Sequence, residues 1–326
     1  WDWFNYLRRN GNIQPHFRSM NGGKGGTVFN AGIGYMDQEG LLLATSFRRY
    51  DAQLNMKSAL TKRLTFGANI NMNYGKRKDT AFNDTDIGNM NASRDQMRSA
   101  YAGSPLTSPT LPDGSGRWSS NGWDGKGGNK NPIAQAYDGG GQLIDENYLL
   151  ASAYVKVVII PGLNAEVKGG VRFNENQQKA FNATWDSWGF LPDVDGNYPH
   201  KPSTSAQSLR QRNNRTKYYT LFATLNYTTT FLEKHHINVM GGYSQELYQT
   251  ERLEGYRTGY DRTDMWYRSA GPSPGQTTTS TVGEWALMSY FGRVNYDYKS
   301  RYLLEANLRY DGSSRLHPDG RWGLFP

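Results

Sequence analysis

Through much of the chain apolar and polar residues alternate one by one, and successive side chains of an extended strand point to opposite faces. The clearest case runs from Trp285 to Tyr310. Ala286, Met288, Tyr290, Gly292, Val294, Tyr296 and Tyr298 fall on one face, against Leu287, Ser289, Phe291, Arg293, Asn295 and Asp297. Across a short link near 298–301, Tyr302, Leu304, Ala306, Leu308 and Tyr310 alternate with Leu303, Glu305, Asn307 and Arg309. The pattern predicts an antiparallel hairpin with one apolar and one charged side. A soluble sandwich strand can alternate in this way. Strands of about ten residues or more with Tyr at their ends, repeated hairpin after hairpin, instead mark a transmembrane β-barrel.

The same code predicts strands elsewhere. A weakly alternating strand over 13–20 meets the Asn/Gly-rich turn 21–26, whose residues tolerate positive φ. Phe29, Ala31, Ile33 and Tyr35 form one face of the next strand, and 48–57 forms another after a connection at 37–40. The most regular stretch sets Leu64, Phe66, Ala68, Ile70, Met72 and Tyr74 against Thr65, Gly67, Asn69, Asn71 and Asn73. Strands 149–159 and 163–173 flank Pro161-Gly162, and 219–227 and 237–243 form a further hairpin. Polar connections span about 75–146, with a short helix predicted near 93–101, then 175–216 and 250–283. Short links near 21–26, 58–61, 160–162, 232–235 and 298–301 alternate with longer ones. An up-and-down outer-membrane barrel needs that order, because its short turns are periplasmic and its long loops extracellular. The expectation is an all-β, antiparallel barrel portion of about ten strands, with the chain starting and stopping between strands.

Composition refines this picture. The 326 residues include 37 Gly and 22 Tyr, which suits many strands and turns. No Cys is present, which excludes a disulfide scaffold, a thiolate metal site and a Cys nucleophile. The net charge of +8 is scattered, with no basic run or helix to hold a nucleic-acid groove, so no nucleic-acid partner is expected. A mean hydropathy of −0.77 is compatible with a barrel, whose strands show lipid only every second residue. No run of eighteen apolar residues offers a spanning helix. The chain opens on Trp1-Asp2-Trp3 without a basic and apolar leader, so any export signal is expected upstream or removed.

Three motifs carry a family resemblance. Arg309-Tyr310-Asp311-Gly312-Ser313-Ser314-Arg315, followed by Arg321-Trp322-Gly323-Leu324-Phe325-Pro326, resembles a signature run of the SusC/RagA family of TonB-dependent outer-membrane transporters, with Leu316 where the family has Phe. Gly34-Tyr35-Met36-Asp37-Gln38-Glu39-Gly40 and Phe291-Gly292-Arg293-Val294-Asn295-Tyr296 resemble two more of its motifs, in the family's order. The resemblance implies a twenty-two-stranded barrel with an N-terminal plug, a TonB-interacting segment and a SusD-like surface lipoprotein as lid. It implies outer-membrane lipid around the wall and an oligosaccharide or peptide as cargo. Residues 1–326 are expected to be a partial barrel of such a transporter, without the plug, the TonB segment or the C-terminal strands. Ten strands of such a design leave two unpaired edges, which a bilayer does not accept, so the chain is expected to be a central piece of a larger protein.

Candidate chemistry is sparse. Adjacent strand residues face opposite ways, so His235 and His236 with Glu246 make a poor metal site. No Ser-His-Asp spacing is recognisable, and no enzyme activity, cofactor or metal is expected. The acidic stretches 113–114 and 193–197 lack the spacing of an EF-hand loop. Arg293, Asp297, Glu305 and Arg309 are expected on the lumen wall, either paired and solvated or touching cargo. Trp118, Trp123, Trp185, Trp188 and Trp266 fall in the long connections, where they either stack on cargo or pack loops against each other or against a lid. Two functions stay open: an importer wall with extracellular loops, or an independent ten-stranded barrel acting as surface protease or adhesin.

Overall fold

A computed structural model describes residues 1–80, 92–120, 131–202 and 206–326. Its main element is one antiparallel sheet. The strands are β1 (Ile13–Lys24), β2 (Thr27–Glu39), β3 (Ser46–Ala59), β4 (Leu64–Asp79), β5 (Gly140–Ile160), β6 (Leu163–Asn182), β9 (Ser208–Phe231), β10 (His235–Thr258), β11 (Thr277–Tyr298), β12 (Tyr302–Ser313) and β13 (Trp322–Phe325). A separate two-stranded hairpin pairs β7 (Asp186–Trp188) with β8 (His200–Pro202). In the main sheet each strand pairs with the next one in chain order, β1 and β13 forming its edges. This is the up-and-down wall that the alternation predicts. The short helices α1 (Trp3–Leu7), α2 (Ala92–Tyr101) and α3 (Pro132–Asp138) lie outside it.

Register keeps the two faces chemically distinct. One row across the sheet runs Met20, Ala31, Leu54, Ile70, Ala151, Val171, Tyr219, Leu247, Ala286. One residue along, on the other face, the row runs Asn21, Asn30, Asn55, Asn69, Ser152, Gly170, Thr220, Glu246, Leu287, Ser313. A slip of a single residue in β1 to β4 would carry amides into the apolar row, and in β10 it would carry Glu246, so an apolar surrounding for that face fixes the register. Aromatic rows bound the apolar face at both ends. Tyr35, Tyr50 and Tyr74 stand side by side at the long-connection end, with centroids 5.2 and 6.3 Å apart, and Tyr290, Tyr310 and Trp322 continue this row on the later strands. At the short-turn end Phe231, His235, Tyr298 and Tyr302 stand in succession, the first and last pairs stacked and the middle pair tilted. Amphipathic rings at both edges of an apolar band are what a membrane interface selects.

The structure corrects the expected boundaries. Strands continue past the apolar band: β9 and β10 run 24 residues each, roughly 80 Å at ~3.3 Å per residue, whereas about ten residues cross a bilayer. The connections therefore shrink to 40–45, 80–139, 183–207 and 259–276, and the one at 40–45 is short. β13 forms where the chain was expected to stop between strands. Its Trp322 ring stacks on Tyr310 at 4.8 Å and covers Gly312, where any Cβ would meet that ring at 2.8 Å. The turn after β1 is the two-residue Gly25-Gly26, with φ of 62° and 85°.

Beyond the band, side chains rather than burial hold the strands together. On the polar face well past Tyr243, Glu254 accepts from Arg210 at 3.1 Å, Arg212 at 2.8 Å and Arg252 at 2.9 Å. Burial works against the Glu254 carboxylate, but Arg252, Arg212 and Arg210 outweigh it and hold the carboxyl down at about 2. Glu175 bridges to Arg215 at 3.0 Å on the same extension.

Two outcomes follow from these contacts. Ile70→Lys or Leu225→Lys should block assembly of the wall, because a Lys at mid-bilayer on the lipid face costs about 2–4 kcal/mol, whereas Asn69→Lys should assemble; heat-modifiable mobility in gels reads the difference. Glu254 is depressed from 4.5, so its contribution is whole above pH 4.5 and is lost as pH falls toward 2. Glu254→Gln should weaken the β9–β10 extension by about 2 kcal/mol at neutral pH, seen as faster amide exchange over 210–215, and it should reduce the acid-dependent loosening of wild type below pH 4.5 to the part that Glu175 contributes.

Candidate functional site

The three longest connections converge beyond the ends of β4, β5 and β6. The first folds on itself through Asn131, which is fully buried. Its carboxamide oxygen caps α3 by accepting from the N–H groups of Ile133 and Ala134. Its NH2 donates to the carbonyls of Pro109 and Ser119, each at 2.8 Å. Asn-Pro at the start and Gly139 at the end are helix start and stop signals. A hydrophobic cluster of Trp3, Leu7, Ala100 and Ile133 backs the fold, with Trp118 packed against it. α1, capped by Asp2 through the N–H groups of Phe4 and Asn5, contributes Trp3 and Leu7 to this cluster.

The first connection then pairs with the second. The Trp188 N–H donates to the Trp118 carbonyl at 2.9 Å, and the Ser120 N–H to the Trp188 carbonyl at 2.7 Å. The third folds onto the strand ends that flank the second: Phe181 of β6, Ala183, Leu209 of β9 and Tyr260 form a buried cluster, and Trp266 lies flat on Phe181 with centroids 5.5 Å apart.

Where they meet is a cavity of about 720 Å³, bordered by Trp118, Trp185, Trp188 and Trp266 together with Arg117, Tyr137, Asp138 and Asp186. Four of the five predicted loop tryptophans thus come together from three separate connections. Trp123 lies outside the described residues. The rings differ in setting. Trp185 is only 9% exposed, so most of it is packing. Trp118 stacks on Tyr137, with planes 8° apart and centroids 6.2 Å apart, and donates Nε1–H to Asp138. Trp188 lies beside His200 and under the Arg117 guanidinium, which sits 5.2 Å from its ring centroid. Both remain partly open to the cavity.

Polar groups here are ordered. Hydrogen bonds from Ser115, through its hydroxyl and its N–H, and then from the Arg117 guanidinium hold the Asp113 carboxyl at about 2. Arg117 is thereby fixed between Asp113 at 2.6 Å and the Trp188 ring. Asp186 meets His200 Nε2 at 2.7 Å. The cavity offers flat aromatic faces flanked by two carboxylates and a guanidinium. Such a surface binds amphipathic ligands by stacking and hydrogen bonds.

The other predicted residues lie elsewhere. Arg293, Asp297, Glu305 and Arg309 all share the polar face of the β11–β12 hairpin, spread along its length and away from the cavity. Asp297 caps the turn by accepting from the Ser300 N–H at 2.6 Å, and Glu305 accepts from Asn307. Arg309 pairs with Asp311 at 2.7 Å and donates to the Ser289 hydroxyl at 2.9 Å. The 311–315 motif is a rim joint. Ser314 accepts the Ala286 N–H on its hydroxyl and donates its own N–H to the Ala286 carbonyl, while the Ser313 N–H reaches the Arg321 carbonyl. Arg315 sits 4.7 Å over the Trp285 ring, and Gly323 pairs with Asp311. His235 and His236 face opposite ways, toward Tyr296 and Thr230.

No family model matches the chain. Over its whole length it is 25% identical to TonB-dependent receptor P3 of Formosa agariphila, of which it covers 30%. It is also 25% identical, again over its whole length, to TonB-dependent receptor SusC of Bacteroides thetaiotaomicron, of which it covers 31%. A solved structure of the RagAB peptide transporter matches 99% of the chain with a TM-score of 0.74 at 20% identity, and the chain covers 34% of it. The chain therefore spans about a third of the length of the proteins it matches.

The settings of the tryptophans separate packing from contact. Trp185→Ala should cost about 3 kcal/mol of loop stability, whereas Trp188→Ala should cost under about 1 kcal/mol. Limited proteolysis should cut the 183–207 connection faster only in the first variant; equal cutting would mean that both rings only pack.

Proposed function

We propose, on the premise that the chain corresponds to a portion of a SusC/RagA-type TonB-dependent transporter, that it supplies barrel wall and extracellular loops to an outer-membrane importer. In this reading a SusD-like lipoprotein closes over the loops, energy comes from the TonB complex through a part of the protein outside this chain, and the cargo is an oligosaccharide or a peptide. The chain performs no bond chemistry. The observation that carries the reading is the cavity where all three long connections meet, lined by Trp118, Trp185, Trp188 and Trp266 with Asp138, Asp186 and Arg117 beside them. Its aromatic faces suit sugar rings or apolar side chains, and its charged groups suit hydroxyls or peptide termini. Lipid-facing strands carry no selectivity, because they must stay uniformly apolar, so recognition falls to the loops and the polar wall beneath them. The independent protease or adhesin is the less favoured alternative, since the relatives bear transporter and receptor names.

Each stacked aromatic contributes about 0.5–1.5 kcal/mol beyond area burial, so Trp118→Ala with Trp188→Ala in the full-length transporter should weaken cargo binding roughly tenfold at unchanged surface abundance. Parallel titration with an oligosaccharide panel and a peptide panel reads the cargo class. Unchanged affinity for every ligand, with unchanged recovery of the lid lipoprotein, would contradict the reading.

A further inference from the structure

The turns opposite the cavity are knitted into a continuous rim. The Ala59 N–H donates to the Gly26 carbonyl, Val158 to Arg63, Thr228 to Gly162 and Lys299 to Lys234, so each turn is tied to the next hairpin. In the segments 60–63, 161–162, 232–234 and 299–301 the charged residues are Lys62, Arg63, Lys234, Lys299 and Arg301 against the single carboxylate of Glu233. All five cations are exposed. Among the described residues none of the five has a carboxylate within ion-pair distance. Asp297, the nearest acid along the chain to Lys299, instead accepts the Ser300 N–H. The opposite rim of the apolar face differs, since Arg48 there is paired with Asp37 at 2.8 Å.

Three of the cations belong to two adjoining turns. The bond of 2.8 Å from the Lys299 N–H to the Lys234 carbonyl joins two turns, and Arg301 follows two residues later. Lys299 and Ser300 occupy the left-handed region at φ of 53° and 52°, as do Leu232 and Glu233 at 51° and 50°. Asn or Gly would adopt that conformation more cheaply, so the 299–300 turn carries its Lys at some backbone cost. Directly beside these cations lies the aromatic row Phe231, His235, Tyr298 and Tyr302, with Leu232 at 77% and Tyr302 at 70% exposure. Lys299 Nζ stays within 5.3 Å of the Tyr298 ring centroid. Unpaired cations one or two residues outside an aromatic girdle stand at the depth of lipid phosphates.

We propose that Lys234, Lys299 and Arg301 form a binding site for the phosphate headgroup of an anionic phospholipid in the leaflet at the short-turn side. Phe231, Tyr298 and Tyr302 would flank the first part of its acyl chains. The inference rests on the membrane reading above.

The test uses the full-length transporter in nanodiscs of mixed phosphatidylglycerol and phosphatidylcholine, with native mass spectrometry counting the retained lipids. One basic residue near a lipid surface is worth about fivefold in affinity, so wild type should retain phosphatidylglycerol over phosphatidylcholine by about tenfold or more. Lys234→Gln/Lys299→Gln/Arg301→Gln should lose that preference, while the charge-keeping Lys234→Arg/Lys299→Arg should hold it. The single variants Lys299→Gln and Arg301→Gln read the same ratio if the triple variant does not assemble. Equal retention of both lipids by wild type, an undiminished preference in the Gln variants, or displacement of the lipid by inorganic phosphate at equal concentration would overturn the proposal. A wild-type protein that enters the nanodiscs without headgroup preference sinks this proposal alone, whereas one that does not enter them sinks the membrane reading and this proposal with it.

Discussion

Everything in this chain depends on lateral pairing of backbone groups under a strict two-residue side-chain period. Inside lipid an unpaired N–H or carbonyl has no water to turn to, so each strand must bond to both neighbours. The same pairing fixes which face each side chain meets. The row from Met20 to Ala286 and its neighbour from Asn21 to Ser313 are separated by one residue in every strand they share, so register and solvent assignment are a single constraint.

That constraint relaxes at the ends of the apolar band, and the chain uses each end differently. Past the Tyr35, Tyr50 and Tyr74 row the strands continue in water as ladders stapled by groups such as Glu254 with its three arginines. They lift the connections away from the band and hold them close enough to meet. Asn131 organises the first connection, the Trp118 and Trp188 backbones pair it with the second, and Phe181 receives Trp266 from the third. At the other end the turns are minimal and tied edge to edge, leaving little there except charge.

The membrane-crossing part of the fold was legible because one of its faces must be apolar. Leu64 through Tyr74 and Ala286 through Tyr298 announce themselves by alternation alone, and the short turns between strands followed. The strand extensions were not legible. In 210–217 both faces are polar, so the two-residue period carries no hydropathy signal even though pairing continues. β13 is four residues long, and its stability comes from Trp322 on Tyr310 and Gly312, contacts that the sequence does not rank. The tryptophans were identifiable as loop residues, but their convergence was not, since it depends on contacts between connections far apart in the chain. Arg117, Tyr137, Asp138 and Asp186 went unnoticed for the same reason. In the first connection the helix expected near 93–101 forms as α2, while the start and stop signals of α3, Asn131-Pro132 and Gly139, went unread.

The central claim, that one face of this sheet meets lipid and the other water, is open to one direct measurement. The chain has no Cys, so single cysteines can be placed in it and spin-labelled. In the full-length protein in bilayers, labels at Phe66, Ile70, Val167, Leu221, Leu225 and Leu304 should be relaxed by oxygen and shielded from a water-soluble nickel chelate. Labels at Asn69, Asn71, Lys168, Thr224 and Glu305 should show the reverse. The same accessibility on both sets, or the inverted pattern, would contradict the account.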